Sequence, residues 1–177
     1  MLDTQTLDSR ELTAIPDDLL SREVFDENLA AMRSAPSWLR DLKEKAWAEF
    51  SSLPFPGRRD EQWRYGRPGE FSLNGFGVAG NPAPSDSEAL ITASHCIENF
   101  SGKLIFADNH MIWERRLPEQ LLESGVKMVP LATAWNQHGD ILQKYFFQRT
   151  PELGAQKFEK LHAALVSNGT LIYVPRG

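Results

Sequence analysis

Apolar residues in the first part of the chain recur at helical spacing. Phe25, Leu29 and Met32 fall four and three apart, Ser21 stands at an N-cap position, and Leu20 before it can staple onto Phe25. This predicts a helix that ends at Pro36. A second helix opens at Ser37 and carries Leu39, Leu42, Ala46, Phe50 and Leu53 on one stripe. Asp41 and Lys45 form an i,i+4 pair on its polar side, and Pro54 stops it. The short break through Ala35 and Pro36 predicts a hairpin or a steep crossing that buries both stripes against each other or against the rest of the protein.

The pattern changes after Pro54. Residues 54–80 interleave proline and glycine with Phe55, Trp63, Tyr65, Phe71 and Phe76, which predicts an extended, packed connector rather than a helix. Residues 81–86, with Pro82 and Pro84, read as a true loop. Beyond it, Lys103–Ala107 is strand-like, Asp108 and Asn109 suit a tight turn, and residues 111–113 can return as a partner strand. Gly125 precedes a short strand at 126–129, and Pro130 can sit in the first turn of a helix with Leu131, Ala134 and Trp135. Helical segments follow at 141–147 and 158–166, where Phe158, Leu161 and Leu165 share a face. Asn168 and Gly169 supply a left-handed stop, and residues 170–174 form a β-branched, aromatic strand.

The expected architecture is mixed α+β, a helical hairpin or cap followed by a small α/β unit. Its divisions are a mobile arm at 1–20, the cap with its aromatic connector at 21–80, a linker at 81–102 and the α+β unit at 103–177. A strand with Leu171, Ile172, Tyr173 and Val174 leaves an unpaired edge that favours association, so the chain is expected to continue beyond Gly177.

Composition narrows the function. The 177 residues, 41% hydrophobic and 24% charged, belong to an ordinary folded protein and exclude the disordered and collagen-like classes. Net charge is -5, and Asp60 and Glu61 dilute the densest basic group, Arg58, Arg59, Arg64 and Arg67, so nucleic acid is not an expected partner. The first ten residues lack a signal-peptide pattern, no run of apolar residues is long enough to span a bilayer, and the single cysteine, Cys96, cannot form an intrachain disulfide. A cytoplasmic location and no membrane contact are expected.

Catalytic motifs are sparse. His95 and Cys96 are adjacent, whereas metal sites use spaced ligands, so a structural or surface role is expected for the pair. His110 lies near Asp108 and His138 near Asp140, without a third orienting group. No phosphate-binding glycine loop occurs. No catalytic, cofactor-binding or metal-ligating residue is therefore assigned, and the chain is expected not to be an enzyme. A small metal-dependent hydrolase using His95, His110 or His138, and a free-standing interaction module, remain the alternatives.

The ordered run Pro36, Ser37, Trp38, Ala46, Phe50, Leu53, Pro54, Pro56, then Glu61, Gln62, Trp63, Arg64 and Tyr65, resembles the N-terminal signature of the SufD family of iron–sulfur cluster assembly scaffolds. Its core is a Glu-x-Trp-Arg-Tyr motif, with Gly66 where threonine is usual. Gly125, Val126, Leu131 and Ala134, and the stretch from Phe158 to Gly177, are similar to later parts of the same region, with His162 where asparagine is common. The resemblance implies a right-handed β-helix after this region, SufB-type and SufC-type partners for the whole protein, and an iron–sulfur cluster handled by the complex, with no cofactor in this segment. It marks Trp38, Glu61, Trp63, Arg64 and Tyr65 as motif residues. They can clamp the connector onto its own helices, Arg64 pairing with Glu61 and stacking on an aromatic face, or they can serve an interface. The internal clamp is the expectation, because aromatic-rich loops in small domains are usually partly buried.

Overall fold

The computed structural model describes residues 20–56, 60–65, 82–94, 99–149, 151 and 156–176. The arm at 1–19, Phe71, Phe76, and the pair His95 and Cys96 lie outside the described residues. Within them the fold is mixed α+β, with seven α-helices and two antiparallel two-stranded sheets. No helix among the described residues is long and apolar enough to cross a membrane.

Helix α1 (Arg22–Ala31) starts where the sequence places it, with the Ser21 hydroxyl accepting from the Val24 amide at 3.3 Å. Helix α2 (Ser37–Ser52) follows, and its polar pairing differs from expectation: Lys45 meets Glu49 at 3.9 Å rather than Asp41. Arg22 ties the two helices together through Glu44, with both guanidinium nitrogens 3.1 Å from the carboxylate oxygens.

Of the two expected ways to bury the stripes, the one against the rest of the protein dominates: the broadest packing partner of α2 is α7 (Gln156–Leu165), which runs back along the C-terminal half of α2. Phe25, Ala46, Trp47 and Phe50 share one buried cluster with Ala163 and Ala164 of α7. The two short alanine side chains let the helices approach closely, a long-range fit that the local period of α1 and α2 does not encode. A second cluster joins Leu39 at the start of α2 to Leu131, Ala134, Trp135 and Leu142. Both cores therefore combine residues from the 21–80 and 103–177 segments.

The segment expected as a linker at 81–102 contains helix α3 (Pro84–Ala93). Pro84 occupies the first helical turn, where a missing amide costs no hydrogen bond, and the Ala83 carbonyl accepts from the Ser87 amide at 3.0 Å. Proline here starts an element instead of marking a loop.

Strands β1 (Lys103–Ala107) and β2 (His110–Arg115) pair antiparallel, with a register shift between Ile105 and Phe106 and Asp108 at φ 53° in the turn. A short helix, α4 (Glu119–Glu123), escapes the periodicity reading. Its end is a Schellman motif: the Gly125 amide donates to Leu122 O at 2.9 Å and the Val126 amide to Leu121 O at 3.0 Å, with Gly125 at φ 87°. Strand β3 (Lys127–Pro130) leads directly into α5 (Leu131–Gln137) and then α6 (Gly139–Tyr145). Strand β4 (Thr170–Tyr173) returns antiparallel to β3, Met128 opposite Ile172 and Val129 opposite Leu171.

Asn168 and Gly169 do not end α7, which stops at Leu165. They shape the connection to β4 instead: Asn168 Oδ1 accepts from the Gly169 amide, Asn168 Nδ2 donates to Asn109 O at 2.7 Å, and Leu131 N donates to Gly169 O at 2.9 Å.

Candidate functional site

The motif around Trp63 rests on a 3₁₀ turn, Glu61–Trp63, closed by the Trp63 amide donating to Asp60 O at 2.8 Å. From this turn an unbroken series of rings leads into the core. Trp63 lies 5.7 Å from Phe158, Phe158 6.0 Å from Phe55, Phe55 6.3 Å from Phe50, Phe50 5.3 Å from Trp47, and Trp47 stacks on Phe25 at 4.9 Å. Tilted and edge-on contacts of this kind add to the burial of area. Trp63 is half-buried, and its Nε1 has no hydrogen-bond partner among the described residues, so packing is what holds the indole.

The rest of the motif faces outward. Tyr65 is 86% exposed, Arg64 stacks over its ring at 4.5 Å and donates to its hydroxyl, and Glu61 is exposed. No ion pair joins Arg64 to Glu61 among the described residues; the aromatic partner of Arg64 is its own neighbour. Trp38 belongs to the other core, edge-on to Trp135 at 6.4 Å. The five motif residues thus form three groups rather than one constellation.

Beneath Trp63 lies a small cavity of about 240 Å³ between residues 53–56, Trp63 and Lys157. Lys157 is the chemically unusual member. Its ammonium donates to Phe50 O at 2.9 Å and Leu53 O at 2.6 Å, the open carbonyls at the end of α2, and lies 4.4 and 4.3 Å from the Phe50 and Phe55 rings. Burial lowers its pKa. Lys43 does the same for α7, donating to Ala164 O and Val166 O at 2.6 Å each. Its side chain is fully buried, and that burial pushes its pKa down to about 8. Asn28 Nδ2 takes the carbonyl between them, Leu165 O, at 3.1 Å.

Sequence reasoning missed both lysines, although the signal was present. Lys43 falls four after Leu39 and three before Ala46, inside the apolar stripe, and Lys157 precedes Leu161 and Ala164 by four and seven. A lysine on a buried face needs acceptors, and the carbonyls at a helix C-terminus supply them together with a favourable dipole.

The histidines do not gather. His110 opens β2 and lines a groove of about 720 Å³ beside Asn28, Met32, Trp135 and Asn168. His138 sits at the junction of α5 and α6, and His162 packs edge-on to Phe147 at 5.1 Å. Among the described residues no three His, Cys, Asp or Glu side chains are grouped to hold a metal ion.

The β3–β4 ribbon has two unlike faces. Val129 and Leu171 pack on the Trp135 cluster, whereas Ile172 and Val174 point away and are each 68% exposed. Among the described residues β4 pairs with β3 alone.

Comparison with known proteins matches residues 21–177 to the model described as the SufBD protein N-terminal region. The chain is 27% identical over 145 residues to the iron-sulfur cluster assembly protein SufD of Bacillus subtilis, covering 80% of this chain and 32% of that protein. It is 22% identical over 166 residues to the iron-sulfur cluster assembly protein SufB of the same organism, covering 89% of this chain and 35% of that protein. The chain therefore spans about a third of the length of these relatives. No solved structure matches.

Proposed function

Because the chain belongs to the family of the SufBD protein N-terminal region, we propose that it is a packed, non-catalytic module of a SufD-type scaffold subunit for iron–sulfur cluster assembly. The observation that carries this reading is the two-faced β4. Its inner face is anchored by Leu171, while Ile172 on its outer face and Val174 just after it are exposed, and among the described residues its second edge is unpaired. An apolar strand with an open edge invites further pairing. In this reading β4 is continued by a right-handed β-helix, and the helical core behind it holds the first strand in place.

The wider role follows from the same proposal. The whole protein joins SufB-type and SufC-type subunits in the cytoplasm, the cluster is the cargo of the assembled complex, and nucleotide chemistry resides in a partner. The exposed Arg64–Tyr65 pair is a partner-facing element, since arginine and tyrosine concentrate binding energy at interfaces.

Co-expression of the full-length protein with SufB-type and SufC-type subunits tests this. A species containing all three on size-exclusion chromatography is expected, together with its loss when Ile172 and Val174 are both changed to Asp. Repeated absence of a three-subunit species, with each subunit soluble, would sink the proposal.

A further inference from the structure

The open end of the β1–β2 ribbon brings two cations together. Lys103, the first residue of β1, and Arg115, the last of β2, stand directly opposite one another. Like charges so placed repel and weaken the ribbon. Both converge on one ring: Lys103 Nζ lies 5.3 Å and Arg115 Cζ 4.9 Å from the centroid of Phe100. Lys103 also donates to the Ser94 carbonyl, which holds the ammonium in position.

Neither cation has a carboxylate partner among the described residues, whereas neighbouring Arg116 reaches Glu114 at 3.6 Å. An aromatic face attracts cations through its quadrupole but carries no net charge to neutralise them. Arg115 is exposed, and no hydrogen bond of its guanidinium is made among the described residues. A guanidinium held over a ring keeps its N–H edge free for a bidentate acceptor. Among the described residues the pair is thus held in place, with no carboxylate beside it.

We propose that Lys103 and Arg115, seated on Phe100, form a clamp for a carboxylate-bearing segment of a partner protein. The surroundings favour a protein over a free oxyanion. A Cβ added to Gly102 would meet Met128 Cε at 2.6 Å and Leu117 Cδ2 at 2.9 Å, so the start of β1 lies against β3. Met128 is opposite Ile172, whose side chain is exposed. The chain also exposes Ile172 and Val174, and a surface that combines exposed apolar side chains with fixed cations has the anatomy of a protein interface, while a small oxyanion gains nothing from the apolar part. The choice of a protein as occupant rests on the scaffold reading above; the charge of the clamp does not.

The test is fluorescence anisotropy on the whole chain with a labelled glutamate-rich peptide and its glutamine isostere. The glutamate peptide binds, and the isostere binds about tenfold more weakly, the loss expected when a charge-assisted hydrogen bond is removed. Arg115→Gln loses about tenfold in affinity for the glutamate peptide while keeping its thermal transition. Equal binding of the two peptides, or unchanged affinity in Arg115→Gln, overturns the clamp. Displacement of the peptide by an equal concentration of inorganic phosphate also overturns it, because the site then takes free oxyanions. Should Arg115→Gln lose its thermal transition, Arg115→Lys is read instead, since it keeps the charge but lacks the fork: weakened binding supports the clamp and unchanged binding overturns it. A failed peptide assay beside an intact three-subunit complex sinks the clamp alone.

Discussion

Lys43 of α2 and Lys157 of α7 cap each other's helices: Lys43 donates to Ala164 O in the last turn of α7 and to Val166 O just after it, and Lys157 to Phe50 O and Leu53 O at the end of α2. Two antiparallel helices are thereby locked in register at both ends of their contact. Each ammonium meets carbonyls that have no intrahelical donor, at the negative end of a helix dipole. Sliding α7 along α2 by one turn would strand both charges at once.

The lock should be measurable. Lys43→Met keeps the apolar stem and removes the donors, and is expected to lower stability by about 1–3 kcal/mol, because the buried Ala164 carbonyl and the half-buried Val166 carbonyl lose their partner. Lys43→Ala also leaves a cavity and should lose more, about 2–5 kcal/mol. Urea titrations monitored by tryptophan fluorescence, which Trp47 in the same cluster reports, decide both values.

Lys43 also makes stability depend on alkaline pH. Its folded pKa of about 8 lies below the ordinary lysine value of 10.5, so the unfolded chain binds more protons between those values. Stability attributable to this group therefore rises as pH increases from about 8 towards 10.5 and is level below that window. Denaturation midpoints of the wild type minus those of Lys43→Met should climb across that range. A flat difference would show that the ammonium is not held in a desolvated site.

The motif is expected to split on substitution. Trp63→Ala removes the outermost ring of the series that ends on Phe25 and should lower the melting temperature, with a loss of roughly 2–4 kcal/mol for a half-buried indole. Arg64→Ala and Tyr65→Ala, on exposed positions, should shift stability by less than about 0.5 kcal/mol yet weaken capture by the full complex. If both classes of variant lower stability equally, the outward pair is part of the clamp after all.

Gly169 is required by backbone and space together. It adopts φ 152°, and a Cβ there would come within 2.9 Å of Leu131 Cδ1. Gly169→Ala should destabilise by about 1–3 kcal/mol and loosen the Leu131–Gly169 bond that seats β4 on α5. Faster amide exchange at Leu131 and Leu171, with Trp47 fluorescence unchanged, is the expected signature.

Local chemistry alone sufficed for much of this fold. The Ser21 cap, the limits of α2 between Pro36 and Leu53, the strand Lys103–Ala107 and its Asp108 turn follow from propensity, capping and period, which act within a few residues. The motif from Glu61 to Tyr65 was equally legible as a string of rare residues, but its division into a half-buried Trp63 and an outward Arg64 and Tyr65 was not.

Tertiary packing decided the rest. Whether α2 pairs with α1 or α7 depends on Ala163 and Ala164 being small opposite Trp47, a complementarity between segments more than a hundred residues apart. The lysines could be read as breaks in two apolar stripes, yet their acceptors exist only once each helix end lies against the other helix. A charge on a buried face is a local fact of sequence; what satisfies it is a property of the assembled fold.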